Sequence, residues 1–83
     1  MRITRVDMDE HEMPATVHVV MTLAEAAYLG KLTGQQTGTE AAELMGAAGE
    51  RAVIEVHNCL ANGLIGRFYG PGGMDMVARR VNQ

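Results

Sequence analysis

Three consecutive side chains, His57, Asn58 and Cys59, are the residue types that a cysteine nucleophile uses: an imidazole to take the thiol proton, a thiolate to attack, and an amide to orient the ring. Their spacing defeats that chemistry. On a helix, residues two apart point roughly 200° from each other, so His57 and Cys59 cannot share a proton. The expected roles are structural, with Cys59 a small core residue and His57 a half-buried hydrogen-bonding group.

A second cluster, Asp7, Asp9, Glu10, His11 and Glu12 with His18 further along, offers oxygen and nitrogen donors. It has no metal-ligand spacing, and charge of this kind on a strand edge serves to block edge-to-edge pairing. No metal and no cofactor are expected. A third stretch, "NGLIGRFYGPGG" from Asn62 to Gly73, holds five glycines around one arginine. Phosphate loops work by leading glycines into a helix N-terminus, where free N–H groups meet the anion. Here the glycines begin where a helical pattern ends, so Gly63 is expected to be the helix cap, with a turn at "GPGG". Arg67 then complements the negative end of the helix. Arg67, Arg79 and Arg80 together form an alternative anion site for a nucleotide-like ligand. Arg67, Phe68 and Tyr69 read as a partner-binding surface, since arginine and aromatic residues are enriched at interface hot spots.

These groups have to be positioned by short elements. "RITRVDM" and "TVHVVMT" are rich in β-branched residues and flank the polar "DEHEMP", which predicts an antiparallel hairpin. A connection from His11 to Pro14 pairs Met8 with Val17, Val6 with Val19 and Thr4 with Met21. Val6, Met8, Val17, Val19 and Met21 then share one face. Ile3, Arg5, Asp7, Asp9, Thr16, His18 and Val20 share the other, with Asp7 across from His18. Two strands alone are marginally stable, so the apolar face needs a cover of helices or a second subunit.

"TLAE" places Thr22 and Glu25 at capping-box spacing for a first helix that stops at Gly34. Its Tyr28, Leu29 and Leu32 form one sector and Leu23, Ala27 and Gly30 a second, so this helix can be contacted on two sides. Thr37 or Thr39 caps the next helical segment. Residues 40–62 carry the stripe Ala41, Met45, Ala48, Ala52, Val56, Cys59 and Leu60, either on one helix or on two broken near Gly46. Met74, Val77, Ala78 and Val81 fit a helix, although the tail is short enough for a strand. The expected fold is α+β, an N-terminal antiparallel hairpin followed by two or three helices in a single domain spanning residues 1–83.

Composition narrows the function. The 83 residues include no Trp, one Phe and two Tyr against seven Met. A core of Ala, Val, Leu and Met without large aromatics stabilises little per residue, and homo-oligomerisation, as a dimer or higher, is the expected remedy. One cysteine excludes an internal disulfide and suits a reducing compartment. No apolar run fits a membrane helix, and "MRITRVDMDEHEM" lacks the apolar segment of a signal peptide, which predicts a cytoplasmic protein. The net charge of −3 argues against a nucleic-acid coat, although residues 51–83 hold four basic against two acidic side chains.

The run "VVMTLAEAAYLGKLTG", followed by a helical segment and "GRFYG", resembles small accessory proteins of bacteriophages of actinobacteria. The six Arg to one Lys, with abundant Ala, Gly and Val, fit a GC-rich genome. The resemblance spans Val19 to Gly70 and implies a non-catalytic protein that binds and modulates a host protein; it carries over no site residue. No acid, base and nucleophile converge within any one element, so an enzyme is not expected.

Overall fold

The structure, a computed structural model, describes residues 1–82. It consists of an N-terminal antiparallel hairpin followed by four helices. The strands are β1 (Arg2–Met8) and β2 (Pro14–Val20), and the helices begin with α1 (Leu23–Gln35) and α2 (Gly38–Met45). The third helix, α3, runs over residues 47–69 without interruption: Ala47–His57 is α-helical, Asn58–Gly66 is π-helical and Arg67–Tyr69 is a last α turn. The tail resolves as helix α4 (Gly73–Val81).

The hairpin forms where alternation and β-branching predict it, but an earlier turn changes its register and two bulges interrupt its ladder. Val6 pairs with Val17, Arg5 with His18 and Ile3 with Val19, and the register shifts between Ile3 and Arg5 and again between Asp7 and Met8. Thr4 is the extra residue of the first shift. A bulge of this kind turns every residue beyond it to the other face. Ile3 therefore joins Val6, Met8, Val17 and Val19 on the apolar face, instead of lying opposite them. The connection is Asp9–Met13, not His11–Pro14. Asp9 Oδ1 accepts from the backbone N–H of His11 at 2.8 Å and of Met13 at 3.1 Å, and Glu12 takes a left-handed φ of 60°. Pro14 then opens β2, the strand position that tolerates a missing N–H.

Both capping boxes form. Thr22 Oγ1 accepts from Glu25 N at 3.2 Å while Glu25 Oε1 accepts from Thr22 N at 2.9 Å, and Thr37 with Glu40 repeats the pattern at 3.1 and 3.0 Å. Gly34 does not stop α1, which continues to Gln35. Residues 40–62 break at Gly46, whose φ of 73° and ψ of −158° suit glycine alone. The break folds α3 back on α2, and Gly49 lies so close under Ala41 that a Cβ there would collide with the Ala41 carbonyl oxygen. Gly63 is not a cap: it lies inside the π-helical segment, and the helix ends at Gly70, with φ 72° and an N–H that donates to Gly66 O at 3.1 Å.

The core is confined to the helices. Val77 and Ile65 are exposed by 0 and 2%, and with Ala27 they form a cluster closed by Leu23, Leu64, Tyr69 and Met74. Ala41, Gly49 and Val53 make a smaller contact between α2 and α3. No Cα of either strand lies within 8 Å of a Cα of any helix. The hairpin is an arm held to the rest by Met21 and Thr22 and by an ion pair from the Met1 ammonium to Glu25 Oε2 at 2.7 Å. The consequence is an extended molecule of 45 × 31 × 20 Å with a radius of gyration of 14.5 Å, where a compact chain of this length has about 12 Å.

Candidate interaction surfaces

On the arm, the polar face organises Arg5, Asp7 and His18. Arg5 Nε pairs with Asp7 Oδ1 at 3.0 Å, and His18 Nε2 lies 2.7 Å from Asp7 Oδ2 and 3.0 Å from Arg5 Nη2. One nitrogen cannot both donate to the carboxylate and accept from the guanidinium. The shorter contact to an anion decides that Nε2 carries its proton toward Asp7, and Arg5 spends its donors on the same carboxylate. The expected Asp7–His18 contact is therefore present, although diagonally, since Asp7 pairs with Thr16 along the ladder. The apolar face opposite has no cover. Ile3 is exposed by 64%, Met8 by 56%, Val17 by 51%, Val19 by 41% and Val6 by 38%.

A second uncovered surface is the groove between α2 and α3. Leu44, Met45, Ala52 and Val56 line it with Ala41 and Val53 at its floor and Thr33 and Gln36 at its α1 rim. It encloses about 160 Å³ and is almost wholly apolar. Four residues of the stripe expected across residues 40–62, Ala41, Met45, Ala52 and Val56, meet here, but only Ala41 is buried. The Gly46 break rephases the chain, so that Gly49 and Val53 face inward in their place. Cys59, expected in the core, is exposed. The inward side of α3 is the one that carries Gly49, Val53 and His57, and at about 100° per residue Cys59 points away from it, as the exposed stripe members Ala52 and Val56 do. His57 is half-buried as expected: its Nδ1–H donates to Gly30 O at 2.9 Å, and the ring lies against Gly34. It faces α1, away from the exposed Cys59.

The Arg67, Phe68 and Tyr69 segment divides. Phe68 is exposed by 68% with the Arg67 guanidinium 5.4 Å over its ring, a cation–π pair presented to solvent. Tyr69 points the other way and packs on the Ala27, Ile65 and Val77 cluster. The glycine-rich turn does lead into a helix N-terminus, that of α4, contrary to the expectation that it only follows a helix end. The end of α4 is already complemented by Asp75 in its first turn, whose carboxylate pairs with Lys31 Nζ at 3.7 Å. Beside it, a cleft of about 510 Å³ runs along Ala61, Ile65 and Gly70 to Met74. Arg67, Arg79 and Arg80 do not line this cleft, and Arg79 and Arg80 sit in the last turn of α4, where they complement its negative end. No ion pair joins any of the three to an acidic side chain among the described residues.

Electrostatics at the caps are local. The Met1 ammonium, followed by the Thr22 backbone N–H, lowers the Glu25 carboxyl to about 2. The Thr37 backbone N–H, then its hydroxyl, lowers Glu40. Among the described residues no group of three or more His, Cys, Asp or Glu is placed to hold a metal, and no helix is long and apolar enough to cross a membrane. Ile3 and Leu44 line the two open surfaces although the sequence pattern does not place them there. Ile3 is displaced by the bulge, and Leu44 falls outside the stripe until the chain breaks at Gly46. The chain matches no family model, no curated protein and no solved structure.

Proposed function

We propose that the chain is a small, non-catalytic, homo-oligomeric interaction protein that binds and modulates a host protein, as the resemblance to phage accessory proteins implies. The observation that carries this reading is the amount of surface left open. The chain exposes 6335 Å², whereas a compact monomer of its mass exposes about 4,800 Å². Six apolar side chains are buried and seventeen large ones are exposed among the described residues. Uncovered apolar area on this scale marks surfaces made for protein contact.

The contact assigned to the host partner is Phe68 with Arg67. An exposed aromatic ring braced by a guanidinium is a rigid, amphipathic anchor, and such residues dominate interface energies. Tyr69 supports this pair from the core and does not itself touch the partner. The test is capture from a host lysate on tagged wild-type chain and on Phe68→Ala, followed by calorimetry with the purified captured protein. A partner that binds the wild type and loses roughly tenfold or more in affinity with Phe68→Ala is expected. Equal affinity for both sinks the assignment of this surface. Retention of no protein by the wild type sinks host binding.

A further inference from the structure

The uncovered face of the arm and the uncovered groove sit at opposite ends of α1. The arm joins α1 at Thr22, and the groove begins at Thr33 and Gln36, about 20 Å along an axis that rises 1.5 Å per residue. The arm leaves α1 through Met21 and Thr22 and points away from the groove of its own chain, approaching neither α2 nor α3. Between the two ends, α1 shows Tyr28, exposed by 66%, and Leu32, exposed by 48%, one turn apart on its outer side. The opposite side of the same helix, with Ala26, Ala27 and Gly30, is buried in the fold.

We infer that a second copy of this chain covers both surfaces: two protomers lie antiparallel along α1, and the arm of each seats its Val6 and Val17 face on the α2–α3 groove of the other. This deepens the reading of the protein as an oligomeric interaction module, on which it rests, by naming the chain itself as the occupant of these two surfaces. Antiparallel placement about a twofold brings each arm to the far end of the other α1, where the groove is. A twofold interface must be reciprocal, and one arm per groove satisfies that condition twice.

Area decides between this arrangement and arms packed only on each other. A stable interface removes about 800 Å² from each partner. Fully buried aliphatic side chains remove on the order of 60–120 Å² each. The five apolar residues of the arm, already 36–62% covered (exposures 64–38%), supply on the order of half that requirement or less. Adding the groove residues Leu44 and Met45, exposed by 73 and 70%, with Val56, Tyr28 and Leu32, brings each protomer close to it. The surface excess of about 1,500 Å² over a compact monomer is large enough to contain such an interface.

The experiment is native mass spectrometry and light scattering on the full chain and on Val17→Lys and Met45→Glu, one in the arm and one in the groove. The wild type is expected to be a dimer. Each variant alone buries an unpaired charge at both of its reciprocal contacts and is expected to dimerise roughly a hundredfold more weakly. Mixing the two variants restores a dimer that contains one of each, because one contact is then wild type and the other pairs lysine with glutamate. Both positions are exposed in the protomer, and unchanged circular dichroism confirms that each variant is folded. A monomeric wild type at micromolar concentration overturns the inference and leaves host binding to its separate test at Phe68. A Met45→Glu variant that dimerises as tightly as the wild type overturns the groove as the seat of the arm and places the arms face to face.

Discussion

Val77 and Ile65 in the helical unit keep 0 and 2% of their surface in water, whereas Ile3 and Val17 in the arm keep 64 and 51%. Both regions alternate apolar and polar residues with the period of their element, so by pattern alone they are equally ready for burial. They differ in reach. The helices follow one another through short connections that bring the apolar sides of α1, α3 and α4 together, while the arm leaves α1 through two residues and touches it again only through the Met1 ammonium on Glu25. Periodicity therefore says which side of an element needs a cover; only the connections say whether the same chain can provide it.

The contrast is broken most directly from the helical side. Ile65→Ala removes the largest buried side chain of the core cluster and should cost about 2–5 kcal/mol. Urea unfolding followed by circular dichroism measures it, and a cost below about 1 kcal/mol would mean that this core is not what holds the helices. Next in size is Gly73→Ala. A Cβ there lies 2.6 Å from Tyr69 Cβ and 3.1 Å from Ile65 Cγ2, so a loss of about 1–3 kcal/mol is expected from overpacking. An unchanged midpoint would show that the α3–α4 turn has room to give.

Smaller effects sharpen the comparison. Thr37→Ala removes the α2 cap and should lower stability by about 1 kcal/mol, while Thr37→Ser restores most of it; equal losses in both variants would exclude the hydroxyl as the cause. Acid acts on the same caps. Glu25 and Glu40 have folded pKa values below the ordinary 4.5, so the unfolded chain binds protons more readily and the stabilisation is complete above that value. It is lost as pH falls from 4.5 toward about 2, the folded value of Glu25. An acid titration of Glu25→Gln should be flatter than that of the wild type over this window, and parallel curves would remove the carboxylate from the account. Smallest of all, Val6→Ala in the arm should change the unfolding of the helices in the dissociated protomer by less than about 0.5 kcal/mol. A larger shift under dissociating conditions would show that the arm supports the helices directly.

Much of this arrangement can be read from the residues. Thr22 with Glu25 announces the start of α1, and the alternation of Val6, Met8, Val17 and Val19 selects the apolar side of the hairpin. Met74, Val77 and Ala78 turn out to be the inner side of a helix. The register was not legible: the connection is Asp9–Met13 where the polar run and Pro14 suggest His11–Pro14, which moves Val6 from Val19 to Val17, and no residue type marks Thr4 as the bulge that decides where Ile3 points. Nor was the length of α3: Gly63 reads as the terminator, and it takes the burial of Ile65 and the packing of Leu64 and Tyr69 against α1 and α4 to carry the helix past it. At the candidate site, Phe68 and Tyr69 are neighbours of similar character in the sequence. Only the direction of the last helical turn separates the exposed ring from the one that closes the core.

The short link from β2 to α1 also bears on turnover in the cell. A segment that is ordered by association gains protection by mass action, so its protection grows with the number of copies present. If a second copy covers the arm as inferred above, its open strand edge and exposed valines are shielded once enough copies are present to associate. In that arrangement the two-residue connector ties the arm's resistance to proteases to the amount of protein present, which limited proteolysis across a concentration series would measure.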